Sequence, residues 1–294
     1  MSSYNTSMNL SKKNNTKKIG FGVIMVLIVI IVIFLLYSSY ISYSNYTNNN
    51  PYLIDEITDG TLSQKFDAKQ INPSSDSPYG TEFSYSFWIF LKDTNFNSSS
   101  SGMSCSSGSL LHIFHKGSTD YVPSTKKIDA TTSVYYPLLQ MPGVWLYPNT
   151  NKLNIRFNTY ENVVETADIG NIPMNMWVCI VIVLIGNSVD IYINGNLKKR
   201  TKLSGVPKIN YGDFYTSNWG GFQGYLSRLR YFNRAIEPFV IDQIFNLGPS
   251  KDFSSKGNGA FDSSAQLSSN YWMTTGYPNS YGAPNYNQSS QTFT

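Results

Sequence analysis

The chain has 294 residues, 41% of them apolar, 15% aromatic and 14% charged, which suffices for one large packed domain or two small ones and excludes a wholly disordered chain. The formal charge of +4 belongs to Lys12, Lys13, Lys17 and Lys18. Without those four, 18 basic residues face 18 acidic ones, and a neutral body excludes the basic stripe that nucleic-acid binding requires.

Residues 1–18 read as a polar, basic stub. The run IGFGVIMVLIVIIVIFLLY (19–37) follows without a charge. As a helix it is about 28 Å long, the thickness of a bilayer's hydrocarbon core. Ile19, Phe21, Val26, Ile31, Phe34 and Tyr37 belong to this span. A cleaved signal peptide needs a shorter apolar region and small residues at the cut, whereas this run ends in LLY. The lysines flank its N-terminal side, so the positive-inside rule puts the stub in the cytosol and the body across the membrane. Residues 38–52 form an Asn/Tyr/Ser stalk. Tyr37, Tyr40, Tyr43 and Tyr46 suit either an interfacial belt on a continuing helix or a tyrosine-rich linker.

Strand signals begin near Tyr52. FSYSFWIFL (83–91) has aromatics on both faces, 98–109 is a flexible Ser-rich loop, LLHIFHKGS (110–118) is a strand, and 119–136 is a second polar loop. Residues 143–158 read as a hairpin turning at 148–151. WVCIVIVLI (177–185) is too short to cross a bilayer as a helix; its Val/Ile content and flanking Asn and Gly mark a strand buried on both faces. VDIYI (189–193) alternates. Asn194-Gly195 suits a two-residue hairpin turn with positive φ, and 197–203 returns as its partner. GFQGYLSRLRYF (221–232) closes the strands. Residues 236–249 hold the body's helix signal, with Pro238 in the first turn and Gly248-Pro249 at the end. Residues 251–294 form a low-complexity aromatic and polar tail, charge-free from 263 onward. Short strands, tight turns and one terminal helix predict an all-β, antiparallel jelly-roll β-sandwich over 53–250, behind a single transmembrane helix.

Five segments carry a more specific likeness: 83–91, IFHKGS (113–118), MWVCIVIVLI (176–185), DIYINGNLK (190–198) and GFQGYLSRLRYFNRAIE (221–237). Their order resembles the laminin-G-like, concanavalin A-like lectin/glucanase domains, with an SFW strand, a Trp-led central strand, a Y-x-N-G hairpin and a closing strand before a short helix. PGVWLYPNTNK (142–152), NIPM (171–174) and LSGVPKINYGD (203–213) resemble membrane-anchored laminin-G-like proteins of large DNA viruses. That likeness implies a virion membrane.

The fold hosts binders and glycosidases alike, so the site must decide. Glycosidases of this fold are expected to carry an E-x-D-x-x-E strand, with two carboxylates about 5 Å apart for a retaining reaction. None is present. Glu161 and Glu165 are the nearest grouping and read as surface acids beside a turn. His112 and His115, three apart on a regular strand, fall on opposite faces and cannot share a metal. Cys105 and Cys179 form no CxxC; they could pair only in an oxidising compartment, and Cys179 reads as a buried thiol. No enzyme activity is expected. The family resemblance implies rim Ca²⁺ sites, for which Asp93 with Asn95, or Asp213, are candidates. Their carboxylate spacing is too sparse to assign a cofactor. On the far side of the predicted span, sequons stand at Asn45, Asn97 and Asn287.

Two partner classes follow. Tyr211, Asp213, Asn218 and Trp219 offer an aromatic and amide platform for a glycan, unless Trp219 packs under the adjoining glycine turn. Trp177, Cys179 and Val181, with Tyr271 and Trp272 of the tail, offer a face for protein neighbours. A strand apolar on both sides needs a cover, supplied by the tail or by another chain. A structural protein joining a virion membrane to its shell or neighbours uses the second face. An adhesion module on a membrane surface uses the first.

Overall fold

The computed structural model describes residues 2–74, 81–93, 110–119, 137, 139–148 and 150–254, with side chains in the first helix from Phe21 onward. The chain divides into a helical unit and a second unit beginning at Asn49. The first is α1 (Ser2–Asn49). It runs through the basic stub, the apolar run and most of the expected stalk, because no proline interrupts it before Pro51. Tyr37, Tyr40, Tyr43 and Tyr46 therefore lie on a continuing helix, and they are exposed with the large apolar side chains from Phe21 onward. Residues 21–49 are long and apolar enough to cross a membrane. Uncovered apolar surface of this kind is tolerated in lipid and not in water.

The second unit is a sandwich of two antiparallel sheets. Its strands are β1 (Tyr52–Ile54), β2 (Thr58–Asp59), β3 (Gln64–Phe66), β4 (Phe83–Leu91), β5 (Leu111–Gly117), β6 (Gln140–Leu146), β7 (Leu153–Phe157), β8 (Glu165–Ile169), β9 (Trp177–Ile185), β10 (Ser188–Ile193), β11 (Asn196–Lys202), β12 (Asp213–Thr216) and β13 (Gly224–Phe232). One sheet runs β1-β13-β4-β9-β10-β11, with β2 also on β13; the other runs β3-β12-β5-β6-β7-β8. The β10–β11 turn is the expected one: Asn194 and Gly195 both have positive φ, at 49° and 79°, and Ile193 pairs directly with Asn196.

β9 is buried on both faces by alternation. Val178, Ile180, Ile182 and Leu184 enter the core between the sheets. Trp177, Cys179, Val181 and Val183 point outward into a second core. That second core is roofed by α2 (Pro238–Leu247), whose Ile241 and Phe245, one turn apart, are its buried residues. Phe245 stacks on Trp88 at 5.9 Å and 13°. The chain then returns along the sheet, with Phe253 bridged to Ile57.

This corrects the assembly-face expectation. Trp177, Cys179 and Val181 are each wholly buried, and among the described residues α2 of the same chain lies over them. Burial pushes the Cys179 thiol far up, so it is inert. Tyr271, Trp272 and the 263–294 tail, together with Cys105, Asn95, Asn97, Asn287 and the 98–109 loop, lie outside the described residues, as do most of 119–136.

Candidate functional site

The outer face of the six-stranded sheet has no α-helix over it among the described residues. It is organised by a bulge in β5. There His112 pairs with Trp145 while Phe114 pairs with Val144, so one residue is inserted. Ile113 and Phe114 consequently both join the inner core, and His112 and His115 emerge on the same outer side. The opposite-face expectation fails for this reason. His112 Nε2 lies 2.8 Å from His115 Nδ1.

The two rings form a directed relay. The backbone N–H of Asn218 donates to His112 Nδ1 at 2.9 Å, which leaves the neutral ring's proton on Nε2. That proton is given to His115 Nδ1, and His115 Nε2 donates to the Ser118 carbonyl at 3.1 Å. Protonating either Nδ1 would set N–H against N–H. Burial drives His112 well below its usual range, aided by His115. Burial also lowers His115 to about 4, against the opposing pull of the Ser118 carbonyl.

Aromatic rings close over the relay. Trp145 is buried, and its indole N–H donates to Gln140 Oε1 at 2.9 Å. Trp219 stacks on Trp145 at 5.7 Å and 16°, and on His115 at 5.6 Å and 21°. Tyr215 of β12 also stacks on His115, at 5.1 Å and 17°. Trp219 alone among these indoles and imidazoles keeps substantial exposure, at 40%. Beside Trp145, across to β7 and β8, Asp168 accepts from Tyr147 Oη at 3.0 Å and from Asn154 Nδ2 at 2.6 Å, and pairs with Lys152 at 2.6 Å. Burial raises the Asp168 carboxyl, and these bonds more than reverse it.

Trp219 is held in a left-handed backbone, φ 55° and ψ 37°, within the 3-10 turn Asn218–Gly220, and Ser217 before it has φ 53°. For a bulky residue this costs on the order of 1–2 kcal/mol. The surroundings hold it: Ser217 N–H donates to Ile113 O, Gly221 N–H to Asn218 O, and Phe222 N–H to Gly60 O. Ser63 Oγ donates to Asn218 Oδ1 at 2.5 Å. Gly221 has φ 61°, and a Cβ there would meet Gly60 O at 2.0 Å. Gly221→Ala is expected to cost more than about 1 kcal/mol in chemical denaturation and to change the near-UV circular dichroism of the indole cluster.

The four ligand residues expected from the sequence separate. Asn218 and Trp219 belong to the imidazole–indole cluster, and Trp219 packs against rings rather than under the glycine turn. Tyr211, 83% exposed, stands at the mouth of a cavity near the sandwich edge. Asp213 is committed elsewhere. It pairs with Lys65 at 2.7 Å and accepts from the Ala68 amide at 2.9 Å, and the Lys65 hydrogen bond chiefly lowers its carboxyl. An ammonium on that carboxylate does not fit a Ca²⁺ ligand.

Glu165 accepts from Thr159 Oγ1, from Ser204 N and Oγ, and from Gly205 N. Burial raises its carboxyl, and those bonds outweigh the rise, leaving an acceptor that pins a loop. Glu161 is exposed. Nothing in the sequence alone assigns His112, His115, Trp145, Tyr215 or Gln140 to this platform. The bulge that gathers the histidines has no sequence signal of its own, and only the HIFH repeat of ring residues hints at it.

A sequence profile described as the concanavalin A-like lectin/glucanases superfamily, laminin-G type, matches residues 63–241. No curated protein matches the chain. Among solved structures, the receptor binding domain of botulinum neurotoxin type G is 16% identical with a TM-score of 0.41, covering 65% of this chain and 46% of its own. The receptor binding domain of botulinum neurotoxin D is 11% identical with a TM-score of 0.43, over 68% and 53%. The serotype D ligand binding domain, solved in complex with N-acetylneuraminic acid, is 11% identical with a TM-score of 0.43, over 69% and 52%. The chain spans about a third to a half of the length of such structures.

Proposed function

Since the chain belongs to the concanavalin A-like lectin/glucanase superfamily, we propose that it is a non-catalytic, membrane-anchored binding module that takes a carbohydrate on the outer face of its six-stranded sheet. One observation carries this reading. Trp219 is presented half-exposed in a strained backbone, backed by the buried rings of His115 and Trp145. Strain of this kind, held in place by surrounding bonds, marks sites where a side chain must be displayed. An indole face takes the C–H face of a pyranose, and the half-buried Asn218, Tyr147 and Asp168 offer polar atoms for hydroxyls. α1 anchors the module as a single span, with the lysine-rich N-terminus in the cytosol. The shell-joining reading drew on an uncovered β9 and on the charge-free tail, and the virion membrane on the likeness to viral proteins. The roof formed by α2 removes the first of these supports.

The test is a glycan array on the full-length protein in lipid nanodiscs, followed by calorimetry. A bound glycan is expected, with Trp219→Ala weakening it by at least about tenfold, roughly 1.4 kcal/mol, and Trp219→Phe retaining part of the affinity. Equal binding by Trp219→Ala, or no glycan bound, rejects the reading.

A further inference from the structure

Away from Trp219, a cavity of about 290 Å³ opens near the edge of the sandwich. That lies at the low end of the roughly 300–1,000 Å³ typical of small-molecule sites. At roughly 30 Å³ per water-sized group it holds a molecule of about ten heavy atoms. Its wall is largely apolar and aromatic, with Phe83, Tyr85, Met141 and Tyr231 among the lining residues. Tyr85 sits inside an aromatic stack, 5.1 Å from Tyr231 and 5.6 Å from Phe214 between ring centres.

Two polar features make this more than a packing gap. The Tyr85 side chain is almost wholly removed from solvent, at 1% exposure, and its hydroxyl has no hydrogen-bond partner among the described residues. Buried hydroxyls are almost always paired, so an orphan lining a cavity asks for an oxygen or nitrogen from a guest. Tyr231 next to it is already used, donating to Asn72 O at 2.8 Å. The second feature is charge. Among the described residues, Lys116 and Lys69 line the cavity and no acidic residue does. Among the described residues, the Lys116 ammonium bonds to neutral oxygens, Asn210 O at 2.7 Å, Asn210 Oδ1 at 3.5 Å and Gly212 O at 3.2 Å. The nearby Asp213 carboxylate is held by Lys65.

We propose that this cavity binds a small amphiphilic carboxylate of about ten non-hydrogen atoms, its apolar body against the aromatic wall, its carboxylate accepting from the Tyr85 hydroxyl within the field of Lys116. Burial lowers the Lys116 ammonium to about 8, opposed by Asp213, so a bound anion also offsets the cost of keeping that charge half-buried. The site is independent of the glycan reading, since Trp219 is not among its lining residues.

The experiment titrates 3-phenylpropionate, and separately 3-phenylpropanol, into the full-length protein in nanodiscs, with empty nanodiscs subtracted. Saturable binding of the acid is expected, tighter than the alcohol by at least about tenfold. Tyr85→Phe removes only the orphan hydroxyl; it is expected to raise the melting temperature of the unliganded protein while weakening the acid by at least about tenfold. Lys116→Met is expected to erase the preference for acid over alcohol, and Trp219→Ala to leave both titrations unchanged. The proposal is overturned by no saturable binding up to about 10 mM, by an alcohol that binds as tightly as the acid, or by unchanged affinity in Tyr85→Phe.

Discussion

Acidification from neutral pH to about pH 4 is expected to remove about 3 kcal/mol of unfolding free energy through His115 alone. The sign follows from the relay. An unfolded histidine titrates near 6.5, whereas folded His115 is held at about 4 by burial. Between those values the unfolded chain binds the proton and the folded chain does not. The stabilisation is therefore complete above 6.5 and is lost as pH falls towards 4. His112 is lowered in the same direction by burial and by His115, so the loss is steeper than one group gives. The carboxylates with lowered pKa, Glu165, Asp168 and Asp213, have ordinary values of 4.5, 3.8 and 3.8. Their stabilisation is present above those values and is lost below them, so the histidine window is largely separate.

Urea denaturation across this range measures the slope directly. His115→Gln supplies the control, because its amide can accept from His112 and donate to Ser118 without titrating. The slope is expected to flatten markedly in that variant. A wild-type stability that is level from 6.5 to 4 would show that the two rings are not held neutral.

The second large effect concerns α2. Phe245→Ala is expected to cost about 3–5 kcal/mol. Phe245 is buried and stacks on Trp88, and it belongs to the same cluster as Trp177, Cys179 and Val181. Helix formation alone stabilises little in a segment of this length, so α2 holds its place by what it covers. Chemical denaturation gives the loss, and sedimentation shows whether the partly uncovered sheet begins to self-associate. A cost below about 1 kcal/mol with no self-association would mean that α2 is not the essential cover, and would make β9 a candidate assembly surface again.

Much of this architecture is legible in the residues. Alternation in VDIYI, the Asn194-Gly195 turn, the apolar run 19–37 and the Pro238 start of α2 each reflect a local preference that the fold keeps. WVCIVIVLI announces two buried faces, but periodicity cannot say which segment buries the second one. That is a tertiary fact, and α2 supplies it. The β5 bulge is hidden for a related reason. HIFH reads as regular alternation until its partner strand is known, and the slip against β6 is what puts both imidazoles on one side. Trp219 could be flagged from its glycine neighbours, whereas its left-handed backbone and imidazole backing depend on β5 and β6. The Tyr85 hydroxyl is similarly invisible: Tyr85 reads as one more core aromatic of FSYSFWIFL.

α2 lies across one sheet, and on the other Trp219 is half-exposed while His112, His115 and Trp145 are buried. On the proposed reading each chain brings one contact through that indole. A module of the proposed kind, held in a bilayer by α1, would gain strength by crowding: copies sharing one bilayer would act on a multivalent surface together, and effective concentration would multiply a weak individual contact by factors of about 10²–10⁴. Adhesion would then respond steeply to how densely the membrane is populated, and only mildly to the affinity of any one site.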